Sequence, residues 1–422
     1  MGKGKPRVAV NGRAYRWPQR PLVAVCIDGG DPAYIQHGVV GGYLPHIGGF
    51  MADGFSAIAA GTVPSVTCTN NMSIVTGSPA SAHGISGNFY LDTATWEAVV
   101  MTGPELLRAD TLFSGFAAAG ARIAVVTAKD KLRCQLGKGL DLTRGNINFS
   151  AEKADLCTRV EHGIENALGY VGMPLAHMYS AELSLFVLEA GIRILERERP
   201  DILYLSLTDY IQHKYAPGEA EAVAFYRAID QKLGRLAELG AVIAITADHG
   251  MNDKSKPDGT PNVIWLQDLL DAEFGAGDTK VICPITDYFI AHHGALGGFV
   301  RVYCHGGKAT PEAIMRFVEP IAGIEAVFDK RTVCEKFDLP PDREGDVAVV
   351  STVNVCIGGA EAEHDLSGLE GHRLRSHGGV SEARVPFVIS APISEEYRRD
   401  AQSRPLDSYR LFDFALNGVV AA

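Results

Sequence analysis

Residues 241–250 read Ala241-Val242-Ile243-Ala244-Ile245-Thr246-Ala247-Asp248-His249-Gly250. An unbroken apolar run, without polar alternation, predicts a β-strand buried on both faces, as in a parallel sheet covered by helices. The run stops at Asp248-His249. Neighbouring side chains on a strand point to opposite faces, so both can serve one site only where the chain turns, and Gly250 permits the turn.

The same grammar recurs outward from that stretch. Residues 22–27 end at Asp28, residues 202–207 end at Thr208-Asp209, and 122–126 and 385–389 are further short apolar runs. Between them, 181–198 carries Leu183, Leu185, Phe186, Leu188, Ile192 and Ile194, and 219–239 carries Ala222, Phe225, Ile229, Leu233 and Leu236. Those spacings predict amphipathic helices. Strands alternating with helices predict an α/β fold, a mostly parallel sheet sandwiched by helices. From about residue 253 turn residues thicken and strand-like pieces shorten, which predicts a smaller inserted α+β cap. The expected division is a core of 20–254 and 370–422 and a cap of 255–369, with part of the loop-rich 138–177 as a candidate addition to the cap.

Ligand sites of open α/β sheets form at the carboxyl ends of the parallel strands. Three strands here deliver Asp28, Asp209 and Asp248 to one rim, and a divalent cation is the simplest relief of their repulsion. Singly, each has a bland reading. Asp28 can cap the helix that follows it, and Asp209 and His213, spaced i, i+4, can be two polar residues of one helix face. Together with His249 and His377 they form an Asp/His donor set, which suits Zn²⁺ and is accepted by Mn²⁺ and Fe²⁺. The other histidines, including His83 and His292-His293, are expected in structural or surface roles.

Residues 62–77, Thr62-Val63-Pro64-Ser65-Val66-Thr67-Cys68-Thr69-Asn70-Asn71-Met72-Ser73-Ile74-Val75-Thr76-Gly77, predict a helix that Gly77 stops. Thr67 stands at its N-terminus, where backbone N–H groups attract an anion. By position alone Thr67 reads as an N-cap; as a nucleophile its alcohol would need a metal ion to deprotonate it. Cys68 is a rival nucleophile without a histidine base.

The pattern Thr67-x-x-Asn70-x-x-Ser73-Ile74-Val75-Thr76-Gly77, followed by His83-Gly84-Ile85 and Gly87-Asn88, resembles the alkaline phosphatase superfamily, in its nucleotide pyrophosphatase/phosphodiesterase branch. The order Asp28, Thr67, Asp209-x-x-x-His213, Asp248-His249-Gly250-Met251, His377 follows that branch along nearly the whole core. The resemblance implies two Zn²⁺ ions, one held by Asp209, His213 and His377 and the other by Asp28, Asp248 and His249. It places Thr67 between them as nucleophile and metal contact, Asn88 on a phosphoryl oxygen, and His213 beside the substrate.

Within that branch the stretch Thr127-Ala128-Lys129-Asp130-Lys131-Leu132-Arg133 most resembles hydrolases that cut carbon from phosphorus. Residues 121–144 hold Arg122, Lys129, Lys131, Arg133, Lys138 and Arg144 against Asp130 and Asp141. Such a loop beside a phosphoryl site suits a small phosphonate with a second anionic group. The bland reading is solvated surface charge. The expected reaction is hydrolysis of phosphonoacetate to acetate and phosphate through a phosphothreonine. Lys129 and Lys131 would bind the substrate and stabilise the departing carbanion. The rival is a phosphodiesterase or phosphomonoesterase acting on nucleotide or other phosphate esters.

Composition agrees with a small-molecule enzyme. The 422 residues carry a formal charge of −11, which disfavours a nucleic-acid partner. No apolar run reaches the roughly 18 residues of a membrane span. Residues 1–20 lack an apolar signal core, and eight scattered cysteines without a CxxC pattern fit a reduced, cytoplasmic setting. Residues 8–13 predict a hairpin turning at Asn11-Gly12. A homodimer is left open.

Overall fold

Seven strands form one sheet in the order Phe55–Ala60, Arg384–Ile389, Val242–Thr246, Leu22–Cys26, Ile202–Ser206, Ile123–Thr127, Ile147–Ser150. From Val242–Thr246 to Ile147–Ser150 every pairing is parallel, and Arg384–Ile389 alone runs against its neighbours. The computed structural model describes residues 5–369 and 371–420. Met1–Gly4, the expected boundary at residue 370 and the last two residues lie outside the described residues.

The missing polar alternation in the central strands has a direct cause. In Leu22–Cys26, Leu22, Ala24 and Cys26 enter one hydrophobic core while Val23 and Val25 enter the other, and each is at most 1% exposed. Helices Thr67–Thr76, Leu112–Ala118 and Asp130–Leu136 cover the first face. Helices Pro32–Val40, Pro45–Asp53, Ala181–Arg197 and Ala220–Glu238 cover the second. Both faces of the sheet are therefore sandwiched, as expected. The N-terminal hairpin pairs Val8–Val10 with Arg13–Tyr15, with Asn11 at φ 47° and Gly12 at φ 80° supplying the left-handed turn.

Two edge strands were not foreseen. Phe55–Ala60 is half alanine, a weak strand former, and Ile147–Ser150 is only four residues long. The second has a consequence for the 138–177 stretch. This stretch supplies an edge strand of the main sheet, and Ala154, Cys157, Ile164, Ala167 and Val171 pack into the main core.

The chain leaves the core through Asn252–Asp253, which pairs antiparallel with Arg375–Ser376 on the return. Between them lies a four-stranded antiparallel sheet in the order Thr279–Ile282, Phe299–Cys304, Val347–Ser351, Ile324–Asp329. Val347 and Val349 face helices Leu266–Phe274 and Pro311–Val318. Ala348 and Val350 face helix Lys330–Phe337 together with Val63, Ala80 and Ala383 of the core. Arg301, fully buried, pairs with Glu344 and donates from Nη2 to the Ser86 carbonyl at 2.7 Å, so a charged tie also joins the two regions.

Candidate active site

Asp28 follows the strand Leu22–Cys26, and the structure separates it from the cap role. Asp31 takes the N-cap of helix Pro32–Val40, its Oδ1 accepting from the Ala33 N–H at 2.8 Å. Asp28 is left free at the rim and is 1% exposed. Gly29 beside it has φ +66°, and a Cβ there would meet the Asp209 Cβ at 3.0 Å, so two strand ends can approach this closely only over glycine.

Asp209 follows Ile202–Ser206 and precedes the short helix Tyr210–Lys214, which turns His213 onto the same face, with Nε2 2.9 Å from Asp209 Oδ2. Asp248 and His249 follow Val242–Thr246. His377 arrives from far along the chain for a topological reason: Arg384–Ile389 runs opposite to the other strands, so the segment before it begins at their carboxyl ends. The Asn252–Asp253/Arg375–Ser376 ribbon fixes the register.

The histidine tautomers follow from their hydrogen bonds. The Nδ1–H groups of His213, His249 and His377 donate to the carbonyls of Arg375 (2.7 Å), Gly250 (2.9 Å) and Ser65 (2.7 Å). Each neutral ring then presents an unprotonated Nε2 to the rim, the arrangement of metal-binding imidazoles. His249 Nε2 stands 3.1 Å from Asp28 Oδ1, yet both atoms are buried without a hydrogen-bond partner. Two facing acceptors call for a cation between them. A proton on His249 can stand in for that cation: burial opposes its charge, but Asp248 and Asp28 raise its pKa to about 9. Asp248 shows the same demand in reverse, since burial and the Asp28 charge push its carboxyl well up. The donor set therefore fits divalent cations.

Donor atoms gather within 4.8 Å of one another in three groups: Asp209–His213–His377, Asp28–Asp209–His249 and His213–His292–His293. Asp209 stands between the first two. Asp248 is adjacent, with Oδ1 3.8 Å from His249 Nε2; its oxygens accept from Gly29 N–H, His249 N–H and the Asn71 amide.

Thr67 is the first residue inside helix Thr67–Thr76, and Val66, not Thr67, is the N-cap residue. The capping explanation of Thr67 is thereby removed. Ser65, two residues before it, holds His377, and Asn71, one turn after it, donates to both the Thr67 carbonyl (3.0 Å) and Asp248 (3.3 Å). Thr67 is thus flanked in the chain by residues that bond to one member of each expected metal set, His377 and Asp248. Asn88 Oδ1 accepts from the Cys68 N–H at 2.9 Å, which places the amide at the same helix N-terminus. The Cys68 thiol is buried and pushed up by that burial, which disfavours a thiolate. His83 is structural, as expected, and fully buried.

The basic loop divides. Arg133 pairs with Asp130, Arg144 with Asp141, Arg122 with Glu198, and Lys138 reaches the Leu107 carbonyl. Only Lys129 and Lys131 turn inward, 4% and 8% exposed. Lys129 Nζ bridges Asp28 (3.3 Å) and Asp209 (3.0 Å). Burial alone would strip its proton, but those carboxylates outweigh it and raise its pKa. Lys131 pairs with Asp287, and both lysines lie over the Phe289 ring, at 5.4 and 5.7 Å. A cleft of about 310 Å³ lined by Lys131, Tyr288, Phe289, Cys134 and Lys153 opens beside them.

Sequence reasoning missed Asn71, Asp287 and the pair His292-His293. Asn71 carried a signal, one helical turn after Thr67. The other three sit on a loop of the inserted region and carried none; His292 and His293, expected in structural or surface roles, are buried, with ring centroids 4.3 and 4.9 Å from that of His213.

A family model described as type I phosphodiesterase/nucleotide pyrophosphatase matches residues 22–346. The chain belongs to that family. Phosphonoacetate hydrolase from Sinorhizobium meliloti 1021, solved in complex with phosphonoformate and with phosphonoacetate, is 45% identical. The match covers 99% of this chain and 100% of that one, with a TM-score of 0.93. Murine ectonucleotide pyrophosphatase/phosphodiesterase 5, 16% identical with a TM-score of 0.62 over 95% of this chain and 96% of its own, shares the fold. The superfamily is metal-dependent, in keeping with the gathered donors. Among the described residues no helix is long and apolar enough to cross a membrane.

Proposed function

We propose that this chain hydrolyses the carbon–phosphorus bond of phosphonoacetate, releasing acetate and phosphate through a phosphothreonine at Thr67. The observation that carries the reading is the pair of buried lysines, Lys129 and Lys131, at the edge of an Asp/His cluster in an otherwise acidic protein. The likeness to the Sinorhizobium meliloti enzyme over the whole chain supports it.

Asp209, His213 and His377 would hold one Zn²⁺ and Asp28, Asp248 and His249 the other, with Mn²⁺ or Fe²⁺ as substitutes; when bound they supply Lewis acidity to the phosphonate oxygens and the Thr67 alcohol. The remaining work falls to the protein's own groups. Helix Thr67–Thr76 fixes the Thr67 alcohol at an N-terminus whose N–H groups favour the phosphonate. Thr67 Oγ1 attacks phosphorus and loses its proton, and the carbon–phosphorus electron pair leaves with the acetate carbon. A carbanion is a poor leaving group unless delocalised, and the neighbouring carboxylate takes the charge as an enolate-like dianion. Lys129 and Lys131 stabilise that charge as it develops, and His213 lines the same space. Solvent protonates the carbon to give acetate. Water then attacks phosphorus, the P–Oγ1 bond breaks, and Thr67 regains its proton as phosphate departs. Asn88 orients a phosphoryl oxygen.

We take 255–369 as the cap that shapes the substrate space, because Asp287, Phe289 and the His292-His293 pair reach the lysines and the donors from it. Eight unpaired cysteines support a reducing, cytoplasmic location.

Product analysis tests the reading. Purified protein given phosphonoacetate should release acetate and phosphate in equal amounts, and Thr67→Ala should abolish turnover. Hydrolysis of a nucleotide ester with phosphonoacetate left intact would replace this reading with the phosphodiesterase one.

A further inference from the structure

Lys131 rests on a single carboxylate. Among the described residues its ammonium forms one ion pair, with Asp287, and the two side chains are 2% and 5% exposed. They come from opposite sides, Lys131 from helix Asp130–Leu136 of the core and Asp287 from the inserted region. Lys129 is held differently, between Asp28 and Asp209, which are themselves read above as cation donors. Asp287 belongs to none of the three donor groups. A bound cation therefore draws on the partners of Lys129 and leaves that of Lys131 in place.

Both oxygens of Asp287 are engaged. Oδ1 accepts the Phe289 N–H at 2.6 Å, a bond that turns the loop where the Phe289 ring meets both lysines. Oδ2 meets Lys131 Nζ and also accepts from Asn88 Nδ2, at 3.4 Å. Asn88 is anchored twice more, from Nδ2 to the Ile285 carbonyl at 3.1 Å and through Oδ1 to the Cys68 N–H at 2.9 Å. One carboxylate oxygen thus lies between the amide read as a phosphoryl contact and the ammonium read as a carboxylate contact. An ammonium has three N–H donors, so Lys131 can hold Asp287 and still offer donors to a substrate carboxylate.

We propose that Asp287 is a positioning residue for carboxylated substrates: it holds the Lys131 ammonium in place and sets its distance from Asn88. This rests on the phosphonoacetate reading above and adds a residue of the inserted region to it. A buried lysine without a counter-charge gives up either its proton or its place. A neutral or displaced amine cannot meet the charge that grows on the departing acetate as the carbon–phosphorus bond breaks. Asp287 therefore acts through Lys131, and its effect is selective. A substrate without the carboxylate places no charge beside Lys131 and loses less when Asp287 is removed.

The test compares two substrates. Wild-type protein, Asp287→Asn, Asp287→Ala and Asp287→Glu are purified with zinc and analysed for metal per chain. Each is then assayed on phosphonoacetate and on an activated aryl phosphate ester. Asp287→Asn keeps the shape and removes the charge. It should lower kcat/KM for phosphonoacetate by about 10–10²-fold, mostly in kcat, because Lys131 acts on charge that develops in the transition state. The ester should lose far less, and metal content should match wild-type. Asp287→Ala should lose at least as much as Asp287→Asn on phosphonoacetate, whereas Asp287→Glu, which restores the charge, should exceed both. Wild-type rates in Asp287→Asn, or equal losses on the two substrates, would overturn the proposal while leaving the function reading intact. So would loss of metal in the variants, or a Glu variant no better than the Ala one. Wild-type protein inactive on phosphonoacetate would overturn the function reading and this proposal with it.

Discussion

His83 links acid stability to the helix that carries Thr67, and its effect can be worked through. The ring is fully buried; Nδ1 accepts from the Ile85 N–H at 3.1 Å, and Nε2–H donates to Ser73 Oγ at 2.9 Å, within helix Thr67–Thr76. Protonating Nδ1 would break the first bond and place a dry charge near Arg343. Burial, followed by Arg343, depresses the pKa from 6.5 to about 3. The folded protein thus binds this proton less readily than the unfolded chain. The stabilisation is fully present above pH 6.5, and it is lost as pH falls from there towards 3. The whole window corresponds to about 5 kcal/mol, at about 1.4 kcal/mol per pH unit once the unfolded chain is protonated. His83→Gln can keep a donor to Ser73 but does not titrate. Unfolding free energies from denaturant titrations between pH 6 and 5 should therefore fall more steeply for wild-type than for the variant, by about 1.2 kcal/mol over that unit. Proton effects at the metal donors are common to both proteins and cancel in the difference. Parallel slopes, or a His83 resonance titrating near 6.5 in the folded protein, would refute the reasoning.

Other perturbations give equally definite outcomes. Lys129→Ala should lower kcat/KM for phosphonoacetate by about 10²–10³-fold and for an activated aryl phosphate ester far less; equal losses, with metal content unchanged, would remove the carboxylate role. Arg301→Met leaves Glu344 charged and buried and should cost about 3–5 kcal/mol in a denaturant titration, most of it recovered in Arg301→Met/Glu344→Leu; a double variant no better than the single one would contradict this. Asp31→Ala should cost about 1 kcal/mol of stability with metal content unchanged, as expected for a helix cap, whereas Asp28→Ala should lose metal; the reverse pattern would exchange the roles of these neighbours.

What the sequence determined by itself was whatever depends on local pattern. Unbroken apolar runs marked the central strands because both sheet faces are covered, and each run ended in the residue that reaches the rim. Asp28, Asp209 and Asp248 were legible for that reason, and His213 because one helical turn returns it to Asp209. The edge strands Phe55–Ala60 and Ile147–Ser150 were not legible, since alanine-rich or four-residue edges carry little pattern. Only the tertiary structure decided which of two bland alternatives held. Asp31 takes the cap and frees Asp28, Val66 takes the N-cap and frees Thr67, and ion pairs at Arg122, Arg133 and Arg144 single out the two lysines. His292 was beyond sequence altogether. It stands 79 residues beyond His213 in the chain, on a loop brought back to the rim by long-range pairing, and no local periodicity records where such a loop comes to rest.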